Sequence, residues 1–124
     1  MSFNWSEYLD LAQQLAGKAS ISATQESRLR SAISRAYYAA FIQARNRLRD
    51  GDSLSIPLDR THQYVITKFK NSPETLRQSI GKDLSRLRVN RNRGDYDDTV
   101  PKLPELTRRS LKLAAQVISN LQRL

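Results

Sequence analysis

The chain has 124 residues, the size of one ordinary domain, and we interpret residues 1–124 as a single domain. It contains no cysteine, which excludes disulfide bonds and cysteine-based metal sites. It carries 21 Lys and Arg against 12 Asp and Glu, a net charge of +9, and Arg supplies 15 of the 21 cations. Because the guanidinium fork matches phosphate, this balance favours nucleic acid or another acidic partner, although solubility alone would also explain it.

Neither a membrane span nor a secretion signal is visible. No stretch approaches the roughly 18 apolar residues that a transmembrane helix needs. The segment Met1–Trp5 lacks a basic region followed by an apolar run. We therefore expect a cytoplasmic protein that does not associate with membranes.

Helical periodicity and stop signals predict five helices in chain order. The predicted bounds are Asn4 to Gly17, Ser22 (in a capping-box candidate with Gln25) to about Arg49, Asp59 to about Lys70, Ser72 to a polar break at Asp95, and about Pro104 to the C-terminus. No segment alternates as a strand does. The predicted fold class is all-α, an antiparallel bundle of four to five helices.

The second helix carries two stripes. At 100° per residue its apolar side chains gather on one face, which predicts the bundle core: Leu29, Ile33, Ala36, Tyr37, Ala40, Ala44 and Leu48. A second stripe lies roughly opposite: Arg35, Tyr38, Ile42, Arg45 and Arg49. Tyr38 and Ile42 would be unusual on a one-sided surface helix, so we expect a homodimer seam with a basic rim. The alternative is that another helix of the same chain covers them.

The end of the fourth helix brings basic residues onto an apolar stripe. Arg91 continues the line of Leu84 and Leu87, and Arg88 flanks it. If the helix continues for another turn, Asp95 falls on the same face. A partly buried arginine needs partners, so this pattern indicates either a phosphate-binding or catalytic pocket, or an internal ion pair that fixes the helix end.

The sequence holds no sign of a metal or another cofactor. Asp95, Asp97 and Asp98 lack ordered ligand spacing and a second cluster. There is no Gly-rich phosphate loop, no Ser/His/Asp set and no zinc motif. We expect neither a metal nor a cofactor.

Two segments resemble motifs of one family. Ser34–Phe41, which reads SRAYYAAF, resembles the second-helix motif S-R-A-Y-Y-A-x-F of small prokaryotic HEPN (higher eukaryotes and prokaryotes nucleotide-binding) proteins. Leu87–Tyr96, which reads LRVNRNRGDY, resembles the late motif L-R-x-x-R-N-x-A-D-Y of the same family. His62 lies between them, where the family often has a His at the start of its middle helix. Order and spacing agree over roughly residues 25 to 120.

The resemblance implies a helical bundle, usually dimeric, whose late motifs face a shared cleft. In active members an Arg and a His a few residues later form a metal-independent ribonuclease site. The resemblance thus implies that Arg91 binds a phosphate, but Asp95 stands where the active pattern has its His. An ordinary Asp is ionised at neutral pH and cannot easily donate a proton. His62, the single His of the chain, is the other candidate proton carrier.

Three functions follow as hypotheses. The first is RNA or nucleotide binding in an Arg-rich cleft, with a possible role in a toxin–antitoxin or defence system; its expected residues are Arg35, Arg45, Arg88, Arg91, Asn92 and Tyr96. The second is a metal-independent endoribonuclease that uses Arg91 with Asp95 or His62. The third is a non-enzymatic module that docks a nucleotidyltransferase-like partner through Tyr38 and Ile42.

Overall fold

A computed structural model describes residues 3–17 and 24–124, and within these residues it contains five α-helices and no strand. The helices are α1 (Glu7–Ala16), α2 (Gln25–Asn46), α3 (Thr61–Lys70), α4 (Thr75–Tyr96) and α5 (Leu103–Gln122). The predicted all-α helical bundle is confirmed. Across the same residues, no helix combines the length and apolar character that crossing a membrane would need.

The starts of α1 and α2 differ from their predicted positions. The Asn4 carboxamide oxygen accepts a hydrogen bond from the Ser6 amide at 3.1 Å, a local turn, and α1 begins only at Glu7. The Thr24 hydroxyl accepts from the Ser27 amide at 3.2 Å and caps α2. The capping signal expected at Ser22 lies outside the described residues.

Helix α2 is the centre of the bundle, packed against α1, α4 and α5. Its predicted core face is confirmed: Ala36, Tyr37 and Ala40 are completely buried. Small residues on this face let neighbouring helices approach closely. At its carboxyl end α2 continues into one π-helical turn, Arg47–Gly51, close to the predicted stop.

Two arginines of α2 hold other parts of this chain. Arg28 donates to the carbonyl oxygen of Gly17 at 2.6 Å, at the end of α1. Arg30 donates to the carbonyls of Gly94 (2.9 Å), Asp97 (2.7 Å) and Asp98 (3.1 Å), which are at or just beyond the end of α4. Arg30 also donates to a carboxylate oxygen of Glu26 at 3.1 Å. Part of the basic excess therefore satisfies carbonyls and carboxylates of this chain, and it is not available to a partner.

Helix α3 lies close against α4 because of one glycine. A Cβ added to Gly81 would lie 2.5 Å from the amide nitrogen and 2.9 Å from the Cα of Lys70. No other residue fits at that distance without a backbone shift. This contact fixes the carboxyl end of α3 on α4, while its first turn reaches α2.

Candidate functional site

The first turn of α3 places His62 against α2. Its Nδ1 atom lies 2.6 Å from the hydroxyl oxygen of Tyr37. Its ring stacks on Phe41, with centroids 4.1 Å apart and planes within 12°. A residue 25 positions from Tyr37 in sequence is therefore part of the same cluster as the SRAYYAAF segment.

Burial determines the protonation of this pair. It raises the pKa of Tyr37 above its ordinary value, so the hydroxyl keeps its proton. Burial, and then the charges of Arg88 and Arg91, lower the pKa of His62 to about 4. A neutral imidazole has one donor and one acceptor nitrogen. We assign the Tyr37 hydroxyl as the donor to Nδ1, because it has no other acceptor among the described residues, and this assignment places the imidazole proton on Nε2.

Arg91 is almost enclosed, and none of the described residues offers its side chain a hydrogen-bond acceptor. Only 8% of the residue is exposed, and its guanidinium carbon lies 5.3 Å from the ring centres of both Tyr37 and Tyr38. Its nearest carboxylate oxygen is on Asp95, 3.6 Å away, too far for a hydrogen bond. Within the described part of the chain, four buried Nε atoms have no partner, those of Arg28, Arg47, Arg88 and Arg91, and the last two lie in this cluster. Such donors are costly to bury, which marks this as a place where an anion would be stabilised.

A cavity of about 460 Å³ opens beside this cluster. Its walls come from α2, α4, the first turn of α3 and the loop before it: Tyr38, Phe41, Ile42, Arg45, Leu58, Arg60, Thr61, His62 and Arg88. Three of these are arginines and none is a carboxylate. Apolar and aromatic walls with a few convergent cations are the usual composition of a small-molecule site.

Arg88 also belongs to a second recess of about 350 Å³ between α3 and α4. Asn92 lies there, one turn after Arg88, together with Lys70 near the end of α3. Arg88 is therefore shared by two neighbouring openings, each of which contains a further cation.

The structure brings together some of the predicted site residues and separates others. Tyr38, Ile42, Arg45, His62 and Arg88 line the main cavity, and Arg91 lies behind Tyr38. The remaining four do not line it. Arg35 is exposed and lies over the Tyr8 ring at 5.2 Å, Tyr96 is 73% exposed at the end of α4, Asn92 lines the second recess, and Asp95 faces Arg91.

Three residues of the candidate site were not predicted from the sequence patterns above. Tyr37 was assigned to the core, correctly, but a buried tyrosine hydroxyl needs a partner, and this need could have pointed to His62. Phe41, in the same SRAYYAAF segment, stacks its ring on the imidazole of His62. Arg60 lines the cavity from a left-handed backbone conformation, with φ of 56°, which no sequence pattern signals. Such strain in a non-glycine residue often accompanies function.

Among the described residues, no group of His, Asp and Glu side chains could hold a metal ion. Comparisons with protein-family models, with curated proteins and with solved structures find no match to this chain. The chemistry of the site therefore has to be argued from its own residues.

Proposed function

We propose that this chain is a HEPN-type helical module that binds RNA or a nucleotide by holding a phosphate group in the cavity beside Arg88 and His62. One observation carries the proposal. Arg88 and Arg91 have buried Nε atoms without an acceptor among the described residues, and Arg88 lines a cavity whose described wall contains three arginines and no carboxylate. A phosphate in this cavity would offer Arg88 an acceptor and would offset the charge of both arginines.

Arg88 and Arg91 have different roles in this proposal. Arg88 lines the cavity and contacts the phosphate directly. Arg91, stacked on the rings of Tyr37 and Tyr38, does not line the cavity and adds positive charge from the far side of Tyr38. The neutral His62 offers its Nε2 proton as a further donor. The ring of Tyr38 provides a surface on which a base could stack.

The test is the affinity for a labelled oligoribonucleotide, measured by fluorescence anisotropy over a series of salt concentrations. If three to five phosphates are engaged, log K falls against log salt with a slope of about −2 to −3.5. Arg88→Gln should weaken binding about ten-fold or more, since a charge-assisted hydrogen bond contributes about 1.5–3 kcal/mol. Lys82→Gln removes the same charge from an exposed position of α4 outside both openings, and it should change affinity much less. An affinity that does not change with salt concentration, or an equal loss of affinity in Arg88→Gln and Lys82→Gln, would contradict the proposal.

A metal-independent endoribonuclease is the second candidate, favoured by the position of His62 next to Arg88. In that reaction the ribose 2′-oxygen attacks the phosphorus, the bond to the 5′-oxygen breaks, and a 2′,3′-cyclic phosphate forms. The proton of the 2′-hydroxyl must leave and the 5′-oxygen must gain one. With its proton on Nε2, His62 is a donor towards the cavity and not a base, which is why binding ranks above cleavage.

Cleavage is tested with purified protein in EDTA. The ribonuclease hypothesis expects a cyclic-phosphate product that is lost in Arg91→Ala and in the variant of the proton carrier, either His62→Ala or Asp95→Asn, with circular dichroism showing that each variant keeps its helices. Asp95→Asn separates the two proposed proton carriers, because only a role for Asp95 makes that variant inactive. An active wild type and equally active variants would eliminate this site.

The expected protein contacts belong to the same surface. Tyr38 and Ile42 are half-buried and line the cavity, so a second copy or a nucleotidyltransferase-like partner at this stripe would close the cavity from outside. The dimer and the partner remain proposals. Tyr38→Glu would abolish either association while the helices stay intact, and sedimentation velocity with and without the partner measures it.

A further inference from the structure

A second basic groove of about 470 Å³ lies between α4 and α5. Its walls contain four cations and no carboxylate: Arg86 and Arg93 from α4, and Arg109 and Lys112 from α5. Leu106 and Leu113 supply apolar surface to the groove, and Asn90 and Gln116 add amides. Arg86 precedes Arg88 by two residues, about 200° around the helix, so the groove lies on the opposite flank of α4 from the cavity.

The four cations of this groove differ from most arginines in the rest of the chain. Arg28, Arg30 and Arg77 donate to carbonyls or carboxylates of the same chain. By contrast, none of the four groove cations forms an ion pair or a side-chain hydrogen bond with any described residue. Asp83 interacts with Arg86 through its charge, but the other three cations have no such carboxylate in the groove wall; like charges gathered in this way repel one another, and a bound anion would relieve that repulsion.

The charges are spread along the groove. Arg86 and Arg93 are seven residues apart on α4, about 10 Å along the helix axis. Arg109 and Lys112 follow one another on one face of α5. Because the charge extends over this length and is not gathered at one point, it suits a chain of phosphates better than a single ion. Arginine, which matches phosphate geometry, supplies three of the four cations.

We propose that the α4–α5 groove is a second nucleic-acid contact, one that binds the phosphodiester backbone of RNA without reading its bases. The identity of the ligand rests on the proposed function, whereas the location of the groove does not. RNA long enough to reach both flanks of α4 would contact the cavity and the groove together, whereas a short fragment would occupy the cavity alone.

The experiment compares two labelled ligands, a trinucleotide and an oligouridylate of about 20 nucleotides, which exceeds the site size of most single-domain binders. The groove variant is Arg109→Gln with Lys112→Gln. Its control is Arg108→Gln with Arg123→Gln, which removes the same charge from α5 and its end, outside the groove. For the long RNA, the groove variant should make the slope of log K against log salt shallower by about 1.4, the value for two lost contacts to a single strand. Its affinity for the trinucleotide should not change.

Each outcome separates the two proposals. If Arg88→Gln weakens both ligands while the groove variant binds long RNA as the wild type does, the groove proposal fails and the cavity stands. If the groove variant weakens the binding of long RNA and Arg88→Gln does not, the cavity proposal fails and the groove proposal stands. Equal losses in the groove variant and its control would overturn the groove proposal, since general charge then explains the effect. Polyglutamate that binds as tightly as RNA, with the same dependence on the groove, would overturn the assignment to RNA.

Discussion

At the scale of single residues, the protonation state of His62 depends on three neighbours that are distant in sequence. Tyr37 donates to its Nδ1 atom, and Arg88 and Arg91 place positive charge beside it. Burial and these charges hold the pKa at about 4, so the ring is neutral at physiological pH. A neutral histidine beside free guanidinium groups is suited to donate one hydrogen bond to an anion, and it is poorly suited to act as an acid.

The depressed pKa of His62 predicts how stability depends on pH. In the unfolded chain the pKa returns to about 6.5, so between pH 6.5 and pH 4 the unfolded state binds more protons than the folded state. The free energy of unfolding should therefore fall as the pH is lowered through this window, by at most about 1.4 kcal/mol per pH unit. Urea unfolding of the wild type and of His62→Gln measures the effect, and the difference between them cancels the contributions of Asp52 and Asp83. Parallel pH profiles of the two proteins would contradict the assigned environment.

The partial burial of Arg91 could be predicted from the sequence, but the aromatic rings that it stacks on could not. Its position in line with Leu84 and Leu87 predicted partial burial, and the residue is 8% exposed. The same pattern left an ion pair with Asp95 as an alternative, and the structure has that pair at 3.6 Å. The stacking on Tyr37 and Tyr38 depends on how α4 is rotated against α2. Periodicity within one helix contains no information about that rotation.

At the scale of elements, the two glycines of α4 allow the effect of close helix packing to be distinguished from the effect of helix propensity. A methyl group at position 81 would lie 2.5 Å from the backbone of Lys70, whereas one at position 94 would be 3.6 Å from the nearest atom, on Ile33. Gly81→Ala should lower the free energy of unfolding by about 1–3 kcal/mol, because overpacking outweighs the gain in propensity. Gly94→Ala should raise it by up to about 1 kcal/mol. Chemical denaturation measures both, and a stabilised Gly81→Ala would refute the close approach of α3 and α4.

The arginines of α2 allow a matched comparison between a structural and an exposed cation. Arg30→Met removes three hydrogen bonds to carbonyls at or just beyond the end of α4, together with an exposed ion pair with Glu26 that contributes little. It should cost about 2–3 kcal/mol, since hydrogen bonds from charged donors are the stronger ones. Arg35→Met removes an exposed cation–π contact with Tyr8, worth about 1 kcal/mol or less. Equal thermal stabilities of the two variants would show that Arg30 does not hold the end of α4.

Helix ends were predicted less well than helix faces, for a local reason. The core face of α2 follows from burying apolar surface, and every residue assigned to it is buried. The start of a helix depends in part on which of several polar side chains accepts the first free amides: Thr24 caps α2, whereas α1 begins at Glu7 after Ser6, which makes no side-chain cap hydrogen bond. These alternatives differ by about 1 kcal/mol or less, too little for a sequence pattern to decide.

At the scale of the whole molecule, the helical class could be predicted and the cavity could not. Apolar periodicity alone indicates five helices. The cavity requires the loop between α2 and α3 to bring His62 to α2, through residues Ser53 and Arg60 in left-handed conformations. Nothing in the order of residues specifies these angles. The net charge of +9 pointed to an acidic partner, but the contacts of Arg28 and Arg30 show that part of it is structural.

The central claim is that phosphate binds beside Arg88 and His62, and the single histidine of the chain reports on it directly. The measurement is an NMR pH titration of the His62 imidazole, with and without a saturating 5′-mononucleotide, in the wild type and in Arg88→Gln. Burial lowers the pKa of His62 most, and the charges of Arg88 and Arg91 lower it further; a bound phosphate would offset these charges, so the pKa should rise above about 4 in the wild type and change much less on nucleotide addition in Arg88→Gln. A His62 pKa that is the same with and without nucleotide would contradict phosphate binding at this site.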